Sequence, residues 1–295
     1  MGTSGSSRGP QNSTPLVPTW LDEPQSQPLP GGTGEDIPNN NRNPAPNIGD
    51  APTAGDQDNT EQPVIVHSPE PERFRLARTN FTRFARSGGN DRRALHRAVR
   101  DYVRTATRGS DNAVRRMGAS RASASNVLGV FRGFQREGIG ETLSHLNLQD
   151  LAGRSPQDVF LGLTEVICRD GGSVDEAIAR DAWLETVADI DRFGIDDLTT
   201  LTIDQIREFF LSFIAHAIEV RLYQDIGING FRVAGDIDDI ENFDAQLRSY
   251  IERAVRDSFI SELTDLPAMS DSDIRMIVDR TYSEAWELLE LIGDR

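Results

Sequence analysis

Apolar residues recur every three or four positions through most of the chain after residue 72, a spacing typical of amphipathic α-helices. Strand-like alternation is almost absent, and no βαβ rhythm appears. The apolar stripes predict helices over about 74–85, 95–103, 114–131, 156–167, 174–193, 203–226, 239–260 and 270–292. The ordered part of the chain is therefore predicted to be all-α.

Capping residues and glycines separate the predicted helices. Gly88-Gly89-Asn90 ends the first of them, and Asn90 or Asp91 is expected to cap the second. Thr202 stands three residues before Gln205, which is the spacing of a capping box. These signals support helix boundaries near 90 and near 202.

Residues 1–71 have a different composition, rich in Pro, Gly, Asn, Ser and Thr. Their apolar side chains are too few to offset the entropy of ordering the segment, so we expect a disordered leader. Leu16, Val17 and Trp20 form a short apolar island within it. The island is either a docking segment or an incidental cluster in a linker, and composition alone does not decide between the two.

Charge divides the chain into three blocks. The chain has 31 basic and 47 acidic residues, and every basic residue is arginine. The net charge is −7 over residues 1–71, +12 over 72–136 and −21 over 137–295. We therefore expect a leader, a basic helical module and an acidic helical module.

The arginine-rich block at 72–136 has two interpretations. It can bind nucleic acid through phosphate contacts and counterion release. It can also pair with an acidic protein surface, which is either the third block of the same chain or a partner. The large negative charge of residues 137–295 favours the second interpretation.

Motifs that would indicate catalysis or metal binding fail in their context. Gly5-Ser6-Ser7-Arg8-Gly9 has the Gly-x-Ser-x-Gly pattern, but it lies in the leader without the strand and helix that an esterase needs. The four histidines are scattered, and His216, within an apolar stripe, is expected to be a core histidine. The single cysteine, Cys168, excludes a disulfide framework and a cysteine-rich zinc site. We therefore predict no catalytic residues, no metal ligands and no bound cofactor, and a protein that is not an enzyme.

No stretch approaches the length of apolar sequence that crosses a membrane, and the first 30 residues hold no apolar run typical of a secretory signal. We expect a cytoplasmic protein without a membrane partner.

The absence of lysine gives the N-terminus a special chemistry. Removal of Met1 would make the α-amine of Gly2 the only aliphatic primary amine in the chain, with a reference pKa of about 7.7–8.0.

Several segments resemble the QatB family of the bacterial Qat anti-phage system. The resemblance covers roughly residues 1–20 and 72–125 and is most specific over 102–104, 109–110 and 113–120. It leads us to expect glycine before Gly109, where this chain has Arg108.

The resemblance implies a non-enzymatic adaptor in a defence complex. The implied partners are a P-loop ATPase (QatA), a QueC-like enzyme (QatC) and a TatD-like nuclease (QatD). Since QueC enzymes adenylate a 7-carboxy-7-deazaguanine and pass it to an amine, Gly2 is a plausible acceptor of a covalent deazaguanine adduct. Thr3 and Ser4 would then be its recognition context.

The same resemblance suggests where partners dock. Leu16, Val17 and Trp20 would contact a partner from the leader, and Arg115, Arg116 and Met117 would do so from the family-specific segment. The alternative function is a nucleic-acid-binding sensor subunit that uses the arginine-rich helices.

Overall fold

A computed structural model of the chain describes residues 72–168, 172–227, 237–259, 263 and 265–292. Every regular element in these ranges is a helix, which confirms the all-α prediction. The predicted disordered leader, residues 1–71, lies outside the described residues.

The described residues include eleven α-helices. In chain order they are α1 (Arg75–Arg86), α2 (Arg92–Asp101), α3 (Ser110–Arg115), α4 (Gly118–Arg136), α5 (Ile139–His145), α6 (Pro156–Gly162), α7 (Thr164–Ile167), α8 (Val174–Ala188), α9 (Ile203–Ile226), α10 (Ile237–Ser258) and α11 (Asp271–Ile292). A π-helical segment, Tyr102–Ala106, continues α2.

Helix α9 is the centre of the fold. It packs against α4, α8 and α10, and its residues from Phe209 to Glu219 are all buried. The ring of Phe209 lies 5.4 Å from that of Phe131 and 5.7 Å from that of Trp183. A helix that is apolar all round is typical of a core position. In the part of the chain that the structure describes, no helix is both long and apolar enough to cross a membrane.

The basic and acidic sequence blocks share one continuous hydrophobic core. Phe84 of α1 lies 4.9 Å from Phe243 of α10, between ring centroids. The Tyr102 ring stacks on Trp286 of α11 at 5.8 Å. The change in charge near residue 136 therefore does not coincide with a break in packing.

Helices α1 and α2 form an antiparallel hairpin, called here the α1–α2 hairpin (Arg75–Asp101). Its turn uses Gly88 and Gly89 at φ of +59° and +76°. A side chain on Gly89 would meet the backbone nitrogen of Phe243 at 3.0 Å, so this glycine allows the turn to approach α10 closely. Asp91 caps α2 by accepting a hydrogen bond from the amide of Ala94 at 3.0 Å, as one of the two capping predictions expected.

Three predicted helices have the wrong boundaries. The helix expected over 156–167 is divided at Leu163 into α6 and α7. The helix expected over 114–131 is divided, because α3 ends at Arg115 and α4 begins at Gly118. Val114 and Met117 keep the helical spacing across this break, so the apolar pattern did not reveal it. The helix expected to reach 193 ends at Ala188, and a 3-10 turn over Ile190–Phe193 follows.

The turn before α3 has a conformation that favours glycine, although arginine stands at position 108. Arg108 adopts a φ of +64° and Gly109 a φ of +108°, so two consecutive residues occupy conformations that favour glycine. The Thr107 hydroxyl donates a hydrogen bond of 2.7 Å to the carbonyl of Val103 and fixes this turn against the π-helical segment. Arginine therefore occupies the left-handed position where the family resemblance leads us to expect glycine.

Candidate partner interface and its internal charge network

Part of the arginine-rich block pairs with the acidic half of the same chain. Among the described residues, ion pairs across this division include Arg104–Glu290 at 3.0 Å, Arg116–Asp225 at 2.8 Å, Arg121–Asp279 at 2.7 Å and Arg132–Asp271 at 2.5 Å. Three of the acidic partners lie on α11 and one lies on α9. Intramolecular pairing, one of the interpretations open from the sequence, therefore accounts for these arginines.

The Asp225 carboxylate, near the end of α9, is the most enclosed of these contacts. Its side chain is only 9% exposed. It accepts hydrogen bonds from the Tyr102 hydroxyl at 2.6 Å and from the Arg116 guanidinium at 2.8 Å. A guanidinium nitrogen of Arg221, one turn earlier on α9, lies 4.0 Å away. The guanidinium of Arg78 donates to the adjacent backbone carbonyl of Ile226 at 2.9 Å. This set of contacts, called here the Asp225 network, joins α1, the π-helical segment, the α3–α4 junction and α9.

Tyr102 supplies the network with a hydroxyl that remains protonated. The residue is 1% exposed. Burial, followed by the neighbouring Asp225 carboxylate, raises the pKa of Tyr102 well above its usual value. Its hydroxyl can therefore donate to Asp225 at any physiological pH. The sequence did not predict the π-helical turn that positions it, a feature that is often found at functional sites.

Arg221 holds the other side of the α3–α4 junction. Its side chain is 4% exposed and lies 2.5 Å from the Asp175 carboxylate at the start of α8. The same guanidinium nitrogen also donates a short hydrogen bond to the backbone carbonyl of Arg116. Charge-assisted contacts of this kind are stronger than neutral ones. The junction is therefore held both through the Arg116 side chain and through its backbone.

The structure separates the three residues that the family resemblance suggested for docking. Arg115 is exposed at the end of α3. Arg116 belongs to the Asp225 network, and the Met117 side chain is 0% exposed within the core. Arg115 is therefore the member of this triplet whose side chain is available to a partner.

His216 is a core histidine, as the sequence predicted. It is 2% exposed, with its Nε2 atom 3.3 Å from Asp189 and its Nδ1 atom 3.7 Å from Glu219. Glu219 is itself buried and accepts a hydrogen bond from Arg248 at 3.1 Å. These contacts satisfy the polar groups of a helix that is otherwise packed in the core.

Five arginines of the α1–α2 hairpin lie outside these pairings. Among the residues that the structure describes, none of them forms an ion pair, and all are exposed or half-exposed. They are Arg83, Arg86, Arg92, Arg93 and Arg97. We call this set the hairpin arginines. The arginine-rich block thus contains two sets. The internal arginines pair with α9 and α11, and they are Arg104, Arg116, Arg121 and Arg132; the hairpin arginines lie at the surface.

Sequence reasoning missed Asp225, Arg221 and Asp175. A signal for Arg221 was present, because a charged residue interrupts the apolar run of α9. Asp225 carried no comparable signal, since it stands in the last turn of a helix, where polar residues are common. The remaining predicted site residues fall outside the described ranges, and they are Gly2, Thr3, Ser4, Leu16, Val17 and Trp20.

Comparison with known proteins gives one match. A family model described as QatB, Qat anti-phage system associated protein QatB, matches residues 109–289. No curated protein and no solved structure matches the chain. The matched segment begins at the turn before α3 and contains Arg116, Arg221 and Asp225, whereas the α1–α2 hairpin precedes it.

Loss of the Asp225 charge is expected to destabilise the fold. Asp225→Asn removes the anion from beside Arg116 and Arg221, and breaking such an enclosed pair costs about 3 kcal/mol. The measurement is the free energy of unfolding in urea. Asp204→Asn is the matched control, because Asp204 pairs with Arg207 at a site where its side chain is 77% exposed, and it should cost at most about 1 kcal/mol. Equal losses for the two variants would contradict the assigned role of Asp225.

Proposed function

The chain belongs to the QatB family of Qat anti-phage system associated proteins, and we propose that it acts there as a non-enzymatic adaptor. In this proposal it binds the ATPase QatA and presents Gly2 for modification by the QueC-like QatC. QatD, the TatD-like nuclease, is a further candidate partner within the same system. The observation that carries the modification proposal is the absence of lysine from the whole chain.

The chemistry of an α-amine suits acyl transfer near neutral pH. An amine with a pKa of about 7.7–8.0 has a substantial neutral fraction at pH 7.5, whereas a lysine at about 10.4 has almost none. The neutral amine of Gly2 would attack the carbonyl of an adenylated 7-carboxy-7-deazaguanine held by QatC. The new amide bond forms as the bond to AMP breaks, and the proton of the amine passes to solvent. Thr3 and Ser4 would position the amine as the residues that follow it.

We assign partner docking to side chains in two segments, the leader and the α3–α4 junction. Arg115 stands on a junction that the Asp225 network fixes, so presenting it to a partner costs little additional ordering. Leu16, Val17 and Trp20 would supply an apolar contact from the leader, since Trp and Arg are the residues that most often dominate binding energy at interfaces. Arg116 and Met117 would support this surface from beneath rather than touch the partner.

The modification is tested by the intact mass of the full chain, co-expressed with and without QatC. We expect an added deazaguanine acyl group only in the presence of QatC, and fragmentation of the N-terminal peptide should place it on the nitrogen of Gly2. An unmodified Gly2 in both samples would overturn this part of the proposal and leave the docking part standing.

Docking through Arg115 is tested by charge reversal. Arg115→Glu should reduce co-purification with QatA several-fold without changing the unfolding midpoint, because the Arg115 side chain is exposed. Arg253→Glu is the matched control, since it makes the same charge change at another exposed arginine, on α10. Unchanged co-purification of the Arg115 variant, or an equal loss in both, would count against docking at this residue.

A further inference from the structure

We propose that the outer face of the α1–α2 hairpin binds the sugar-phosphate backbone of double-stranded nucleic acid through the hairpin arginines. This activity would be separate from the modification of Gly2 and from docking at Arg115. The sequence left nucleic acid as one interpretation of the whole block at 72–136. The structure places four arginines of that block in ion pairs with α9 and α11, and the hairpin carries five exposed or half-exposed arginines that form no ion pair within the described residues.

The hairpin carries a dense positive charge. Residues 75–100 include eight arginines and one aspartate, Asp91, which caps α2. Three of the eight arginines are engaged, since Arg75 pairs with Glu72, Arg100 pairs with Asp101, and Arg78 donates to backbone carbonyls at the end of α9. The hairpin arginines are the five that remain, and none of them forms an ion pair within the described ranges. An acidic group of α10, Asp239, lies against Gly88 at the turn.

The geometry of the hairpin gathers these charges on a narrow surface. The side-chain amide of Asn80 donates to Asp101 at 2.8 Å and aligns the two antiparallel helices. Counting toward the turn from this pair places Arg83 of α1 across from the segment of α2 that carries Arg97. The turn itself brings the end of α1, at Arg86, to the start of α2, at Arg92. At a rise of about 1.5 Å per residue α1 is about 18 Å long, which is about five base-pair steps of a duplex.

A groove along α1 is lined by two of the hairpin arginines, Arg83 and Arg86. Its volume is about 500 Å³. The described residues that line it are Arg75, Arg78, Thr79, Thr82, Arg83 and Arg86. Arginine and threonine side chains are among the usual donors to phosphate oxygens. Arginine in particular can form two parallel hydrogen bonds with one phosphate group.

The same face lacks what an interface with another protein needs. The centre of a protein interface is depleted in charge and contains apolar or aromatic anchors. On the hairpin the large aromatic side chains Phe81 and Phe84 are buried, as is Tyr102 directly after it. Leu76, which is 54% exposed, is the one large apolar side chain of the hairpin found exposed in the described residues. An anionic polymer is therefore a better fit than an acidic protein.

The lack of an exposed aromatic ring on the described part of the hairpin favours a duplex over a single strand. Proteins that bind single strands stack the bases on exposed aromatic rings. The imidazole of His96, at the middle of α2, instead stacks on the ring of Tyr250 of α10 at 4.9 Å. No stacking platform is thus offered by the described part of the hairpin, and contacts with the backbone of a duplex require none.

The acidic net charge of the chain does not prevent such binding. Charges further apart than about 8 Å are largely screened at physiological ionic strength. Several acidic groups of α9 and α11 are also already paired with the internal arginines. The field that a duplex meets at the hairpin is therefore dominated by the nearby guanidinium groups.

The test is the affinity of the full chain for a fluorescein-labelled DNA duplex of mixed sequence, measured by anisotropy over a range of salt concentrations. If five phosphates are contacted, the logarithm of the association constant should fall with the logarithm of salt concentration with a slope of about −4.5. The variant Arg83→Gln, Arg86→Gln, Arg93→Gln should bind at least about tenfold more weakly near 50 mM salt, with a slope reduced in magnitude by about 3.

The control variant is Arg154→Gln, Arg253→Gln, Arg275→Gln. It removes the same charge from three exposed arginines outside the hairpin and should bind the duplex as the unmodified chain does. Unfolding midpoints should be the same for both variants, because all six side chains are exposed. The proposal is overturned if the chain does not bind the duplex near 50 mM salt, or if the control variant weakens binding as much as the hairpin variant does. Tighter binding to a single strand of the same length would overturn the assignment to a duplex.

Discussion

The Asp225 carboxylate is the contact on which the arrangement of the basic helices depends. It is nearly enclosed, and a buried carboxylate is tolerated only where donors surround it. The Tyr102 hydroxyl and the Arg116 guanidinium donate to it, and a guanidinium nitrogen of Arg221, one turn earlier on α9, lies 4.0 Å away. Since both donors lie more than a hundred residues before Asp225 in the chain, the carboxylate fixes how the segment near residue 110 lies against the end of α9.

This constraint explains how a strongly basic and a strongly acidic segment can share one core. The stacked rings of Tyr102 and Trp286 belong to the core that the two segments share. The internal arginines are positioned by carboxylates on α9 and α11. The hairpin arginines have no such partners in the described residues, so their charge is presented to solvent. One block of sequence thus supplies both an internal framework and a surface. Arg116, Arg221 and Asp225 lie in the segment that the QatB family model matches, whereas Tyr102 and the hairpin surface precede that segment.

Periodicity was sufficient for much of the fold. The all-α class, the central helix α9 and the core position of His216 follow from local spacing, because helical faces repeat within a few residues. The break at Met117 was not predictable in this way, since its cause is tertiary. The backbone carbonyl of Arg116 is bound by Arg221, which lies more than a hundred residues further on. The left-handed turn at Arg108 was not predicted, because arginine itself gives no signal for a positive φ.

The candidate site was harder to predict than the fold. Composition indicated that arginines would meet an acidic surface, but which arginine meets which carboxylate depends on contacts between distant helices. Arg115 and Arg116 are adjacent and chemically identical, yet the structure exposes the first and places the second in the Asp225 network. Whether an arginine side chain is exposed to a partner or engaged within the protein depends on the folded structure, so the sequence did not distinguish Arg115 from Arg116.

The Arg116–Asp225 pair couples the basic helices to the acidic ones. A double-mutant cycle measures this coupling from the free energies of unfolding of the unmodified chain, Arg116→Gln, Asp225→Asn and the double variant. We expect a favourable coupling energy of about 2 kcal/mol between the two side chains. Additive losses of stability, with a coupling energy close to zero, would show that the pair does not couple these helices.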